Sequence, residues 1–392
     1  MTSPAPIDGA ALAAVCAPFG RSRTLPQAAY TDDAVLGWEL EHFFDRSWVP
    51  LARVEDLPRP GDQLGARAGR ETVILTRDDD GSLRAFLNVC RHRGHELIEA
   101  GATRNGKVIR CPYHAWAYRL DGALAGAPGF SRSAGFDRAD YPLRPVRIEA
   151  RHGWVFGNAS GDAPPLADHV GDLGAQVRDH GMGDLVTAAR HDYDVAANWK
   201  LIVENFHECY HCPSIHPELC RMSPPDSGRN MRPGGAWAGG SMELRPAAET
   251  MSVTGRRDAP YLPGLDERQR REVCYFGLFP NLLISLHPDY VMTHRIEPAG
   301  AGRSRIECRW LFPPEVAGRP GFDPGYAAGF WDITNRQDWR ACEAVQRGVT
   351  SRGYIPGPLS PREDAVYQFD VMVARGYLEG RVSPPPVAGA PG

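Results

Sequence analysis

The sequence predicts an α+β fold, a small all-β domain followed by a larger mixed domain. Three observations carry this. Short β-type runs bounded by turn signals crowd residues 45–158. A polar joint follows, Ala159-Ser160-Gly161-Asp162-Ala163-Pro164-Pro165. Beyond it, helical and strand-like periods mix up to about residue 380. The 392 residues hold two or three domains' worth of chain.

In order, residues 1–30 read as a loose arm. From Asp32 to Trp48, the apolar positions Val35, Trp38, Leu40, Phe43 and Phe44 predict an amphipathic helix. Residues 1–44 are thus an arm and helix expected to pack with the second domain. Strands are predicted at Trp48–Val54, Glu71–Arg77, Leu83–Val89, Lys107–Cys111 and Gly153–Gly157. Arg59-Pro60-Gly61-Asp62, Asp80-Gly81 and Asp121-Gly122 separate them as turns. The second domain covers 159–380. Its first helix is expected over Asn198–Tyr210, stopped by Pro213. A Gly/Pro/Ser-rich loop follows at about 221–240. Further strands are expected at Val273–Phe279, Leu282–His287, Tyr290–Glu297 and Arg305–Phe312. Residues 298–302 form the last hairpin loop, and the alternation in the last strand predicts a half-buried face. Phe330–Arg347 is expected as the final helix, and 381–392 as a disordered tail.

Composition narrows the function. A formal charge of −4 excludes the broad cationic face of a non-specific nucleic-acid binder. No run of eighteen apolar residues occurs, so no membrane span is expected. Met1–Gly20 lacks a basic start and carries Asp8, unlike a signal peptide. Nine scattered cysteines do not make a disulfide scaffold, and a reducing cytoplasm is the expected location.

The first chemical constellation is Cys90-Arg91-His92 and Cys111-Pro112-Tyr113-His114. Zinc knuckles usually group Cys with Cys and His with His. Here each loop supplies one of each. A Rieske [2Fe–2S] centre needs that, because two thiolates hold one iron and two imidazoles the other. A structural zinc is the rival. Gly94 eases backbone approach, and Tyr113 and Trp116 supply an aromatic wall.

From these motifs the sequence resembles the large (alpha) subunit of Rieske non-haem iron oxygenases, over Asp32 to about Tyr377. Ala115 stands where the family often has Gly. The resemblance implies a catalytic domain of helix-grip, START-like type, with a curved antiparallel sheet and helices.

The second constellation lies in 198–216. Glu204, Glu208 and His211 fall at i, i+4 and i+7 on the predicted helix, one stripe. His216 follows just after Pro213 and can turn back to the same point. Two imidazoles beside carboxylates suit a mononuclear Fe(II) with open sites for O2. A third ligand is expected from the 330–347 helix. Asp338 shares an apolar stripe with Trp331, Cys342 and Val345, and burying an acid there is costly unless it pairs or binds metal. The family places its ligating Asp in such a helix. Asp332 and Glu343 are rivals. Cys209 and Cys212 make a Cys-x-x-Cys, for which a redox pair or a zinc site is conceivable. Helix spacing turns Cys209 away from the stripe, and both are read as packing residues.

The resemblance further implies that Glu208 is an inter-subunit electron bridge. It would link His211 to the cluster ligand His114 of a neighbouring subunit in a homotrimer. The Glu-Cys-Tyr-His-Cys string looks like members acting on quaternary ammonium compounds, such as glycine betaine monooxygenase, carnitine oxygenase and stachydrine demethylase. Expected cofactors are one cluster and one iron per chain. No Gly-x-Gly-x-x-Gly fingerprint occurs, so NAD(P)H and flavin are assigned to a separate reductase. The expected reaction uses O2 to hydroxylate a C–H bond, with N-demethylation of a betaine-like substrate as the first reading. The alternative is an aromatic ring dioxygenase. A Rieske electron carrier leaves 198–216 and Asp338 unexplained. Aromatic residues for a substrate cage are Phe206, Tyr275, Tyr290 and Trp310, with Trp237 and Trp331 also available.

Overall fold

The computed structural model describes residues 4–385. The chain forms two compact units. One runs from Leu40 to Leu166, and the other takes the chain up to Glu39 together with the chain from Ala167 onward. The bounds expected from sequence, 45 and 158, therefore lie several residues inside the first unit. Residues 386–392 of the expected tail lie outside the described residues.

The 40–166 unit is built of short antiparallel strands. They are β1 (Val49–Arg53), β2 (Asp62–Ala68), β3 (Glu71–Arg77), β4 (Leu83–Leu87), β5 (Thr103–Asn105), β6 (Val108–Arg110), β7 (Ala117–Arg119), β8 (Leu124–Gly126), β9 (Arg147–Arg151) and β10 (Trp154–Asn158). Sheets run in the orders β1-β10-β9, β4-β3-β2-β5 and β6-β7-β8. Sequence reading missed β2, β5 and β7 to β9. Three of these are three-residue pieces, too short to show a period. The expected 32–48 helix is α-helical only over Asp33–Glu39, and a π-helical turn continues it through Asp45.

The other unit is centred on one seven-stranded antiparallel sheet. Its strands are β11 (Val186–Val195), β12 (Arg229–Asn230), β13 (Trp237–Glu243), β14 (Glu272–Leu278), β15 (Leu282–Leu286), β16 (Val291–Gly300) and β17 (Arg303–Phe312). Their spatial order is β11-β17-β16-β15-β14-β13-β12. The β16–β17 hairpin is tighter than expected. Gly300 pairs with Arg303, so the 298–302 segment is largely strand. The expected half-exposed face of β17 is closed as well, with Ile306 through Phe312 all buried. Its charges are neutralised in place. Glu307 lies 2.8 Å from Arg309, 3.4 Å from Arg295 and 3.1 Å from Arg190. Burial pushes the Glu307 carboxyl up, but the three guanidinium groups outweigh it and hold its pKa at about 2.

Three helices, Trp199–Phe206, Gly325–Val349 and Asp364–Glu379, pack on this sheet and on each other. The last was not expected from sequence, so Gly325–Val349 is not the final helix. The N-terminal arm is not loose either. Asp8 caps a Gly9–Val15 helix that buries Leu12 and Val15. Ala5 donates to the Tyr377 carbonyl and Thr24 to that of Gly357. The arm also supplies Glu39, fully buried, whose carboxylate takes bonds from Lys200 Nζ at 2.6 Å, Trp199 Nε1 at 2.8 Å and the Tyr377 hydroxyl. No helix among the described residues is long and apolar enough to cross a membrane.

Candidate active site

In the 40–166 unit, the loops after β4 and β6 share one frame. Cys90 N–H donates to the His95 carbonyl and Cys111 N–H to that of Trp116, each at 2.8 Å. Gly94 and Ala115, four residues on, return to the cysteine carbonyls at 3.0 and 3.1 Å. Both have positive φ, +74° and +59°. Ala115 accepts a left-handed conformation that costs an L-residue about 1 kcal/mol. The thiols of Cys90 and Cys111 are buried neighbours. The imidazoles of His92 and His114 sit toward the surface with ring centroids 4.7 Å apart. Trp116 stacks on His92 and Tyr113 lies against His114.

A single zinc would draw these four ligand atoms to one point. Among the described residues, the group that converges in that way, with atoms within 4.8 Å of one another, is instead His211, His216 and Asp338. Paired thiols and paired imidazoles held apart fit a two-iron cluster.

The converging trio belongs to the other unit. The Trp199–Phe206 helix, capped by Asn198, ends four residues earlier than expected. The helical stripe Glu204–Glu208–His211 therefore does not exist. Glu204 points instead into the core, accepting from the Tyr30 hydroxyl at 2.8 Å. Glu208 caps the next turn, accepting from the backbone N–H groups of Tyr210 and His211. His211 and His216 then bracket the one-turn helix Cys212–Ile215, with Pro213 inside its start. A single turn of helix is what returns His216 to His211.

Each imidazole is held at Nδ1, leaving Nε2 free to face its partners. His211 Nδ1 meets the Glu208 carboxylate, and His216 Nδ1 meets Gln337 Oε1 at 2.7 Å. The Nε2 atoms stand 3.2 Å apart, and Asp338 Oδ1 is 3.4 Å from the first and 2.8 Å from the second. Ligands about 2.1 Å from a metal, at right angles, are about 3 Å from each other. Two imidazoles and one carboxylate on one face fit that arrangement and leave other positions open. Burial alone would lower the His211 pKa, yet bonds to Asp338 and Glu208 hold it at about 9. Burial would raise Asp338, and the two imidazoles overcome it to lower its pKa. The site therefore attracts positive charge.

The rivals are engaged elsewhere. Asp332 pairs with Arg336 and Tyr193, each at 2.8 Å, and Glu343 accepts from Ala196 N–H. Sequence reading missed Gln337, and a glutamine beside an acid carries no signal of its own. It read Cys209 and Cys212 as packing residues, and both do pack in the core beside the sheet, but the structure also joins them in a disulfide. With the helix ended at Phe206, Cys209 is not turned away as helical spacing implied.

A cavity of about 320 Å³ opens beside the trio. Of the four expected aromatic residues, Phe206 and Tyr275 line it. Tyr290 and Trp310 do not. Tyr290 is fully buried, fixed by Trp331 Nε1–H at 2.7 Å and by its own bond to the Met251 carbonyl, and Trp310 packs on His191. Trp237 is also outside, bonded to Asp172. Trp331 lines the cavity. So do His207 and His294, both held neutral by burial with pKa values of about 3 and 4. The Tyr275 hydroxyl, both His207 ring nitrogens and His294 Nδ1 are buried without a protein partner.

Residues 47–141 match the Rieske [2Fe–2S] domain, and residues 182–379 match the catalytic domain of ring hydroxylating alpha subunits. The chain belongs to the Rieske oxygenase alpha subunits. A Rieske cluster and a mononuclear iron are accordingly the cofactors of this alpha subunit. It is 41% identical over 343 residues to the carnitine monooxygenase oxygenase subunit of Escherichia coli K12, covering 86% of this chain and 87% of that protein. It is 29% identical over 377 residues to the glycine betaine monooxygenase oxygenase subunit of Chromohalobacter salexigens, covering 89% and 83%. The crystal structure of the quaternary ammonium Rieske monooxygenase CntA with L-carnitine is similar at a TM-score of 0.78 and 26% identity. That match covers 95% of this alpha subunit and 99% of CntA.

Proposed function

We propose that this chain is the oxygenase component of a monooxygenase that hydroxylates an N-methyl carbon of a betaine-like quaternary ammonium compound. In this reading Cys90, His92, Cys111 and His114 hold the cluster, and His211, His216 and Asp338 hold Fe(II). Iron there supplies the reduction of O2 that drives C–H hydroxylation. One oxygen atom enters the C–H bond and the other leaves as water, with two electrons originating from NAD(P)H through a separate flavin reductase. The N-hydroxymethyl product breaks its C–N bond and releases formaldehyde. Glu208 carries electrons between subunits of a homotrimer, from the partner subunit's His114 to His211. The cytoplasm is the proposed location.

One observation carries the substrate class. The cavity combines aromatic groups, Phe206, Tyr275 and Trp331, with two unpaired neutral donors, the Tyr275 hydroxyl and the single ring N–H of neutral His207. A quaternary ammonium cannot be met by hydrogen bonds and is favoured by aromatic faces. Its carboxylate would satisfy the neutral donors. An aromatic hydrocarbon would leave them unpaired, at about 1–3 kcal/mol each. The test is a substrate panel of betaines and aromatic acids with reductase and NADH. Formaldehyde formed one-for-one with O2 consumed is expected from a betaine. Diol formation from an aromatic substrate, without formaldehyde, would establish the dioxygenase alternative.

A second expectation concerns the cluster. The Tyr118 hydroxyl accepts from Arg91 N–H at 2.9 Å and lies 3.3 Å from Cys90 Sγ, so its own hydrogen is free for the sulfur. A bond to a ligating sulfur favours the reduced, more negative cluster. Tyr118→Phe is expected to lower the reduction potential by about 60 mV, the one-electron equivalent of about 1.4 kcal/mol for a hydrogen bond to a charged group. Redox titration followed by visible absorption measures it, and an unchanged potential counts against Cys90 as a ligand.

A further inference from the structure

The Cys-x-x-Cys pair has no part in the proposed reaction. Cys209 and Cys212 form the one disulfide among the described residues, with Cα atoms 4.9 Å apart, an ordinary span for such a bond. The seven other cysteines are in no disulfide. The bond encloses two residues, Tyr210 and His211. Those are the residues whose backbone N–H groups Glu208 accepts. Residues 207–211 belong to no helix or strand, because one helix ends at Phe206 and the next begins at Cys212. The turn that aims both Glu208 and His211 is therefore held from two sides, by the Glu208 carboxylate and by the crosslink. Both cysteines also line the cavity, so small reagents have a way in.

We propose that Cys209 and Cys212 are a reversible thiol–disulfide site that sets, through this turn, how fast electrons reach the mononuclear centre. The proposal rests on the reading of Glu208 as the bridge. The chemistry is ordinary exchange. A small dithiol attacks one sulfur, its second thiol releases the mixed disulfide, and two thiols remain here while the donor becomes a disulfide. Hydrogen peroxide reverses it, since two thiols and one peroxide give one disulfide and two waters. The crosslinked form is the fast one. Opening the crosslink frees the backbone of Tyr210 and His211, and Glu208 loses the fixed donors that set its direction. Cys209 and Cys212 act here as positioning residues.

The sequence makes the test direct. Trypsin cuts after Lys200 and Arg221, so one peptide carries Cys209, Cys212 and Cys220. Protein prepared in air, then denatured and alkylated, is expected to take one alkyl group on that peptide. After treatment with a trialkylphosphine, which takes its oxygen from water and leaves two thiols, it takes three. Native protein in each state, with its cluster pre-reduced, is then mixed with O2 and substrate, and cluster reoxidation is followed by visible absorption. The phosphine-treated form is expected to reoxidise about tenfold more slowly with its iron content unchanged, the lower end for losing a group that orients a metal-bound histidine. The Cys209→Ser/Cys212→Ser protein is expected to stay at the slow rate whatever the treatment. Three alkyl groups on the air-prepared peptide would overturn the proposal. So would equal rates in the two thiol states while Glu208→Gln is slow, an outcome that leaves the bridge standing. A Glu208→Gln protein with the wild-type rate would remove the bridge, and the proposal with it.

Discussion

Asp338→Ala protein is expected to lose its mononuclear iron and its activity while remaining red-brown. Asp338 contributes the one anionic atom of the trio, 2.8 Å from His216 Nε2, whereas the four groups assigned to the cluster lie in the other compact unit. A four-ligand zinc site is worth about 10–16 kcal/mol, so one ligand accounts for about 3 kcal/mol, on the order of a hundredfold in affinity. Alanine leaves both imidazoles in place, still oriented by Glu208 and Gln337. Iron analysis should therefore fall from two classes of iron to the cluster alone, with the visible spectrum and the reduced-state EPR signal kept. Full mononuclear occupancy in the variant would refute the assignment and return attention to Asp332 and Glu343.

Glu208→Gln is expected to slow product formation by on the order of a hundredfold, with both metal centres bound and the cluster still reducible. The carboxylate accepts three N–H donors within its own chain, from Tyr210, His211 and the His211 ring. A carboxylate offers about four acceptor positions, which leaves one for the proposed bond to the partner subunit's His114. Glutamine keeps the size and halves the acceptors. If its oxygen serves the His211 ring, its NH2 group faces backbone N–H donors, and the turn must shift. Loss of a group that orients a metal-bound histidine costs about 10- to 100-fold, and interrupting the bridge adds to that. The diagnostic measurement is single-turnover reoxidation of a pre-reduced cluster, because a purely structural Glu208 would alter iron content and leave this rate in proportion to it. Wild-type rates per iron, or full activity in a dilute monomer, would end the bridge reading.

The legible parts of the site were those written as spacing. Cys90/His92 and Cys111/His114 name two loops, and the structure shows why their spacings differ. Both loops use the same backbone frame, but the imidazole leaves it at the third residue in one and the fourth in the other. His211 and His216 were legible because a proline between them implied a turn. Asp338 was legible because an acid on an apolar stripe needs a partner. The stripe Glu204–Glu208–His211 misled, since a continuous helix was assumed where the chain breaks at Phe206, although Glu204 itself is the structural residue it was read to be. The strand Trp237–Glu243 was hidden by its two glycines, which read as loop. They are glycines because the chain passes too close to its neighbours. A Cβ at Gly239 would collide with the Tyr275 carbonyl, and one at Gly240 with that of Arg229. Gln337 and the buried face of β17 depend on contacts between distant segments, which no single-segment period records.

The discontinuous unit has a consequence for how the protein is made. The segment from Leu40 to Leu166 is complete in sequence once its last residue has been synthesised, and it can close on its own contacts. The first 39 residues cannot. Glu39 has to wait for Lys200 and Trp199, and finally for Tyr377. At a synthesis rate of about 5–20 residues per second that delay is on the order of tens of seconds. Through it the arm stays tethered to a finished neighbour while its own half is still being translated. The iron-binding half therefore assembles last, only after Tyr377 has been made, whereas the cluster-binding half is ready for its iron and sulfide well before the ribosome lets go.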